Sequence, residues 1–242
     1  MAAPGFPATR LSVLRGVASA LPEERRRALD ALAAAYWRPV YTYLRLHWRV
    51  AAEEAEDLTQ SFFARALEKD FFARYEPARA RFRTFLRTCL DGFVSNQRAA
   101  ARRLKRGGGQ ALLSLDFAGA EAALGHIEVP AEMDVEELFR REWVRALFAD
   151  AVRELAARCR AQGRLVHFAL FERYDLDPPP EGRPTYAALA AEFSLPPTQV
   201  TNFLAAARRD FRRLVLERLR ALTGSEEEFR AEARDLLGGG AP

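Results

Sequence analysis

The sequence predicts an all-α fold on three observations. Alternating β-branched runs are nearly absent, Ala, Leu, Arg and Glu recur at helical spacing over most of the length, and Gly and Pro gather in a few breaks. A first helical block runs from about Leu21 to Arg106. The segment from Gly107 to about Pro130 is Gly/Ala-rich, poor in charge and without clear periodicity, and reads as a flexible linker. A second block opens near Asp134, a good N-cap residue, with Glu136 and Glu137 in the first turn where the helix dipole favours carboxylates. Its apolar residues Phe139, Trp143, Leu147, Ala151 and Leu155 repeat every four, which predicts one broad packed face. After Gly163 a shorter helix carries Leu165, Phe168 and Ala169. Asp177 to Pro184 is a Pro-rich break before two further helices. Ser225 to Leu237 reads as a short acidic amphipathic helix ahead of a Gly-rich tail.

At 242 residues the chain has room for two small domains, and a hydrophobic content of 49% is enough to fold them. The net charge is +4, so the placement of the cations says more than their sum. Cys89 and Cys159 lie far apart, each within an apolar helical pattern, which predicts two buried, unreactive thiols and a reducing compartment. No N-terminal targeting pattern and no apolar run approaching the roughly 18 residues of a membrane span occur. The chain reads as cytoplasmic, with no membrane partner.

Two segments carry candidate chemistry. Thr185 to Phe193 predicts a short helix with small alanines that allow a close crossing, Ser194 to Pro197 a turn, and Thr198 onward a longer helix. Val200, Phe203, Leu204, Ala207, Phe211 and Leu214 fall on its inner face. Gln199, Thr201, Asn202, Arg208, Arg209, Arg212 and Arg213 fall outside it. An exposed face that is polar first and basic later suits a recognition helix: Thr198, Gln199, Thr201 and Asn202 to base edges, the arginines to phosphates. An ordinary αα-hairpin with a solvated charged face would give the same pattern.

The other segment begins with Glu53 to Lys69, a helix with Leu58, Phe62, Phe63, Ala66 and Leu67 on an apolar stripe and carboxylates at its start. From Tyr75 to Arg106, aromatics (Tyr75, Phe82, Phe85, Phe93) interleave with Arg79, Arg81, Arg83, Arg87, Arg98, Arg102, Arg103, Lys105 and Arg106. Single-stranded nucleic acid needs both kinds of residue. Stacking contributes about 1 to 3 kcal/mol per base and the cations neutralise phosphates. Phe82 and Phe85 fit a protein core equally well.

Taken together, Tyr36 to Arg45 (YWRPVYTYLR), Ala55 to Leu67 (AEDLTQSFFARAL), Phe82 to Leu90 (FRTFLRTCL) and the helix-turn-helix resemble the extracytoplasmic-function (ECF) group of bacterial RNA polymerase sigma factors, in order and spacing. The resemblance implies a region-two helical bundle over residues 25–107, a flexible linker over 108–133, a region-four helix-turn-helix over 134–222 and a C-terminal extension over 223–242. It implies docking of Glu56, Asp57, Leu58, Gln60 and Phe63 on the clamp helices of the polymerase β′ subunit, with the β flap as a further contact on core polymerase. Tyr75, Arg79, Arg81, Phe82, Arg83, Phe85, Arg87, Asn96, Arg98 and Arg102 are implied to hold the opened promoter strand near minus ten. Flipping a base out there costs a few kcal/mol, offset by stacking and base-edge hydrogen bonds. Thr198, Gln199, Thr201, Asn202, Arg208, Arg209 and Arg212 are implied to read duplex DNA near minus thirty-five. The chain departs from the family pattern at Phe85, usually Trp, at Gly92, often Asn, and at Asn96, often Asp. Pro196 replaces a small polar cap in the turn.

An enzyme is not expected. His47, His126 and His167 are scattered, no paired Cys or His has metal-ligand spacing, and Gly107 to Gly109 lacks both the preceding strand and the Lys-Ser/Thr of a phosphate loop. No cofactor and no metal are expected. The competing expectation is a helix-turn-helix transcriptional regulator that dimerises through its N-terminal helices and never touches polymerase. An anti-sigma factor or a kinase would be a compatible regulatory partner.

Overall fold

The structure is a computed structural model that describes residues 12–17, 21–69, 71–101, 115–124 and 134–238. All regular structure among them is helical: α1 (Ser12–Val17), α2 (Pro22–Leu46), α3 (Ala52–Glu68), a 3-10 turn (Phe71–Arg74), α4 (Phe82–Ala101), α5 (Phe117–Leu124), α6 (Val135–Ala161), α7 (Leu165–Phe171) running into a π-helical turn (Glu172–Leu176), α8 (Tyr186–Glu192), α9 (Pro197–Ala221) and α10 (Glu226–Leu237). The described chain forms two compact units, one from the chain up to Ala146 together with Leu219 onward, the other from Leu147 to Arg218.

The first unit is organised around α2, which starts on Pro22 with Glu23 and Glu24 in its first turn. Leu32, Tyr36, Val40, Tyr41, Tyr43 and Leu44 are all buried along it. Tyr36 meets the edge of Phe82 at 5.6 Å and lies parallel to Trp143 at 6.4 Å, while Tyr43 meets the edge of Phe139 at 5.6 Å. The start of α6, Phe139 and Trp143 included, therefore packs with the N-terminal helices, and the boundary between units falls inside α6 rather than in the Gly/Ala-rich stretch. Part of that stretch is itself ordered. Asp116 accepts a hydrogen bond from the Gly119 amide at 2.9 Å, a cap that starts α5. Phe117 then packs on Trp37 and Tyr41, and Glu121 accepts from Tyr41 Oη at 2.6 Å. Within the flexible linker expected over 108–133, residues 117–124 thus form a helix, because one aromatic and one carboxylate give a weakly periodic segment something to dock with.

The second unit is a helix-turn-helix built on the later part of α6. The four-residue repeat of α6 holds: Phe139, Trp143, Leu147, Ala151 and Leu155 are all buried, and Cys159 continues the series. In α7 the buried pair is Leu170 and Phe171, whereas Leu165 is 59% exposed. The run LVHFALF is apolar on nearly every side, so its periodicity selects no face. Leu170, Leu189, Ala190, Val200 and Leu204 close the core of this unit, with Tyr174, Tyr186, Phe193, Leu195 and Phe203 around them. Replacing Leu204, which is fully buried, with Ala should lower stability by about 2 to 5 kcal/mol. Urea denaturation followed by circular dichroism reads this, and an unchanged midpoint would contradict the core assignment.

Candidate nucleic-acid interface

The helix-turn-helix forms where the sequence places it. Thr185 caps α8 by accepting from the Ala188 amide at 3.1 Å. The turn is closed by the Leu195 amide donating to the Ala190 carbonyl at 2.9 Å, with Ser194 at φ +53°, a left-handed residue that ends α8 sharply. Pro197 opens α9, where its missing N–H costs nothing. Val200 and Leu204 point into the core, so helical geometry turns Thr198, Gln199, Thr201 and Asn202 to solvent. Arg209 is exposed and Arg212 half-buried. Arg208 differs from expectation: its guanidinium grips Asp175 of the π-helical turn through two hydrogen bonds of 2.7 and 3.0 Å, lies 5.1 Å from the Tyr174 ring centre, and is held firmly protonated by that carboxylate. The bidentate geometry makes it a brace for the motif rather than a free phosphate contact.

The α4 segment contains the second surface. Phe82 is fully buried, ringed by Tyr36, Phe72 and Tyr75, and offers no open face for stacking in this conformation. Phe85 is half-buried beside Tyr75 at 5.4 Å. Arg81 and Arg83 are occupied, and the occupant is α10. Glu228 accepts from Tyr75 Oη at 2.9 Å, from the Phe82 amide at the start of α4 at 2.6 Å, and from the Gly224 amide at 2.7 Å. Glu232 is buried against Arg83 and lies 3.3 Å from Arg81, which also meets Asp235 at 2.8 Å. Burial pushes the Glu232 carboxyl up, against the pull of Arg83 and Arg81. The Tyr75 hydroxyl is raised by burial and then by Glu228. Burial works against the charge of Arg81, but Asp235 and Glu232 outweigh it. Residues 228, 232 and 235 share one face of a helix, so this acidic stripe was visible in the sequence as spacing; its target was not.

The remaining positions are dispersed. Arg87 is tied to Asp91 at 2.8 Å and Glu136 at 3.0 Å. Arg79 is exposed beside Glu76 at 2.7 Å. Asn96 is exposed, and Arg98, also exposed, donates to the Trp48 carbonyl at 2.8 Å and covers its ring. Arg102 lies outside the described residues, as do His126 and the cations at 103, 105 and 106.

On α3, Ala55, Thr59, Phe62, Phe63 and Ala66 form the buried face, and Thr59 satisfies its hydroxyl by donating to the Ala55 carbonyl at 2.7 Å. Phe63, expected on the docking surface, packs in this core against Phe62 at 5.3 Å. The opposite side presents Asp57 exposed, with Glu56, Leu58 and Gln60 half-buried around it. Neither thiol is activated: burial pushes Cys89, only half-buried, up to about 11 and raises Cys159 as well. Among the described residues no cluster of His, Cys, Asp and Glu could hold a metal, and no helix is long and apolar enough to cross a membrane. No protein-family model, curated protein or solved structure matches the chain.

If Arg209 neutralises a phosphate and Arg208 braces the fold, the two should separate on substitution. Arg209→Ala is expected to weaken duplex binding evenly across sequences and lower the slope of log K against log salt by about one. Arg208→Ala is expected to lower stability by about 1 kcal/mol, as befits a partly exposed pair. Salt titration and thermal denaturation of both variants decide; a stability loss at Arg209 and none at Arg208 would reverse the assignment.

Proposed function

We propose that this chain is an RNA polymerase sigma factor of the ECF type, binding core polymerase through α3 and reading duplex promoter DNA through α9. The observation that carries the reading is the helix-turn-helix whose second helix begins with exposed Thr198, Gln199, Thr201 and Asn202 on a core of Val200 and Leu204. Such a short polar end fits the major groove, where donor and acceptor side chains distinguish base pairs. The polar side of α3, with Glu56, Asp57, Leu58 and Gln60 outside its core face, is compatible with a basic or polar docking partner. The α4 segment supplies the chemistry for an opened strand in Tyr75, Arg81, Arg83 and Phe85, once their present partners are released.

That last condition gives the regulator reading its specific support. With Arg81, Arg83 and Arg87 paired to internal carboxylates, duplex binding by α9 alone would need no rearrangement. Transcription from genomic DNA by purified bacterial core polymerase, with and without the protein, separates the two. New start sites that depend on the protein, and that fade when Asp57→Lys reduces co-elution with core by about tenfold or more, are expected. Duplex binding without co-elution and without new starts would favour the regulator.

A further inference from the structure

We infer that α10 is an autoinhibitory strap: its carboxylates occupy Arg81, Arg83 and the helix start that an opened DNA strand would use, and these become available only when α10 leaves. The inference rests on the proposed sigma-factor reading for the identity of the ligand, but the contacts that carry it do not.

Glu228, Glu232 and Asp235 lie on one stripe of α10, spaced like successive turns. They meet Tyr75, the Phe82 amide, Arg83 and Arg81 in turn. Each of these partners is a donor or cation of the kind that holds phosphate, and the Phe82 amide adds the positive end of α4. Carboxylate and phosphate cannot occupy the same donors together, so strap and strand exclude each other.

The strap is also built to close. Ser225 caps α10 through the Glu228 amide at 3.1 Å, which sets the helix start beside Tyr75. Gly224 approaches Tyr75 so closely that a Cβ there would lie 2.5 Å from the ring. Arg220 lies 4.2 Å from the Phe229 ring centre and 3.3 Å from Glu226, tying the end of α9 to the start of α10. The contact is polar and partly desolvated rather than apolar throughout. Burial raises the Glu232 carboxyl, so its ionised form is held at a cost that a competing polyanion can exploit.

The test is the affinity of the full chain for a mixed-sequence single-stranded 30-mer, measured by fluorescence anisotropy. Asp235→Lys, at a half-exposed position and so tolerant of change, and Glu232→Lys should each raise affinity about tenfold. Gly224→Val, which alters no charge, should raise it in the same direction, because its side chain would collide with the Tyr75 ring and push the start of α10 away. Glu227→Lys makes the same charge change on an exposed position and should stay within about twofold of the unmodified protein. Circular dichroism confirms that each variant is folded. Equal affinity for the unmodified chain, Asp235→Lys and Gly224→Val would overturn the strap while leaving the sigma-factor reading intact. A rise with Glu227→Lys equal to that with Asp235→Lys would reduce the effect to net charge and overturn it also. Absence of single-strand binding in every variant would overturn the strap, and co-elution with core polymerase would then show separately whether the function fails with it.

Discussion

A carboxylate removed from water has to be met by donors, and Glu232 shows how much of the first unit is arranged around that requirement. Its partner Arg83 is nearly as buried and lies beside the Trp143 ring, which in turn packs on Tyr36 of α2. One ion pair thereby connects α10, α4, α6 and α2. Removing either charge leaves the other stranded in a low-dielectric setting, whereas an external polyanion supplies a replacement partner for Arg83. The same pair that fixes the position of α10 is a lever for releasing it.

The two candidate DNA-facing surfaces are built by different physics. In the helix-turn-helix, the apolar cluster of Leu170, Leu189, Val200 and Leu204 and the Arg208–Asp175 brace hold α9 rigid while its first residues stay in water. Nothing has to move for those residues to meet a duplex. In α4 the recognition chemistry is present but engaged, with Phe82 in the core and the arginines on internal carboxylates. On the proposed reading, a duplex would meet α9 as it stands, whereas an opened strand would require α10 to leave α4.

How much of this was legible in the sequence follows from what periodicity reports. The i, i+4 series of α6, the Ser225 cap and the two helices flanking Ser194 are local patterns, and each appears where helical spacing puts it. Phe82 is different: an aromatic among arginines reads equally as a stacking platform or a core residue, and only the surrounding rings, contributed by distant segments, place it in the core of this conformation. The Arg208–Asp175 pair has no local signal either, because Asp175 is 33 residues distant and reaches the arginine from a π-helical turn that no simple period announces. The acidic stripe of α10 was readable as spacing, but pairing it with Arg81 and Arg83 takes a contact across about 150 residues, beyond any local signal.

The most direct test of the account is hydrogen–deuterium exchange, followed by mass spectrometry, on the free protein and on the protein with core polymerase and a partly opened promoter fragment. Amides of α10 and the first turn of α4 are expected to be protected in the free chain. With core and DNA added, α10 should lose its protection while the start of α4 keeps or gains it. Protection of α10 that is unchanged in the complex, with α9 alone responding to DNA, would contradict it.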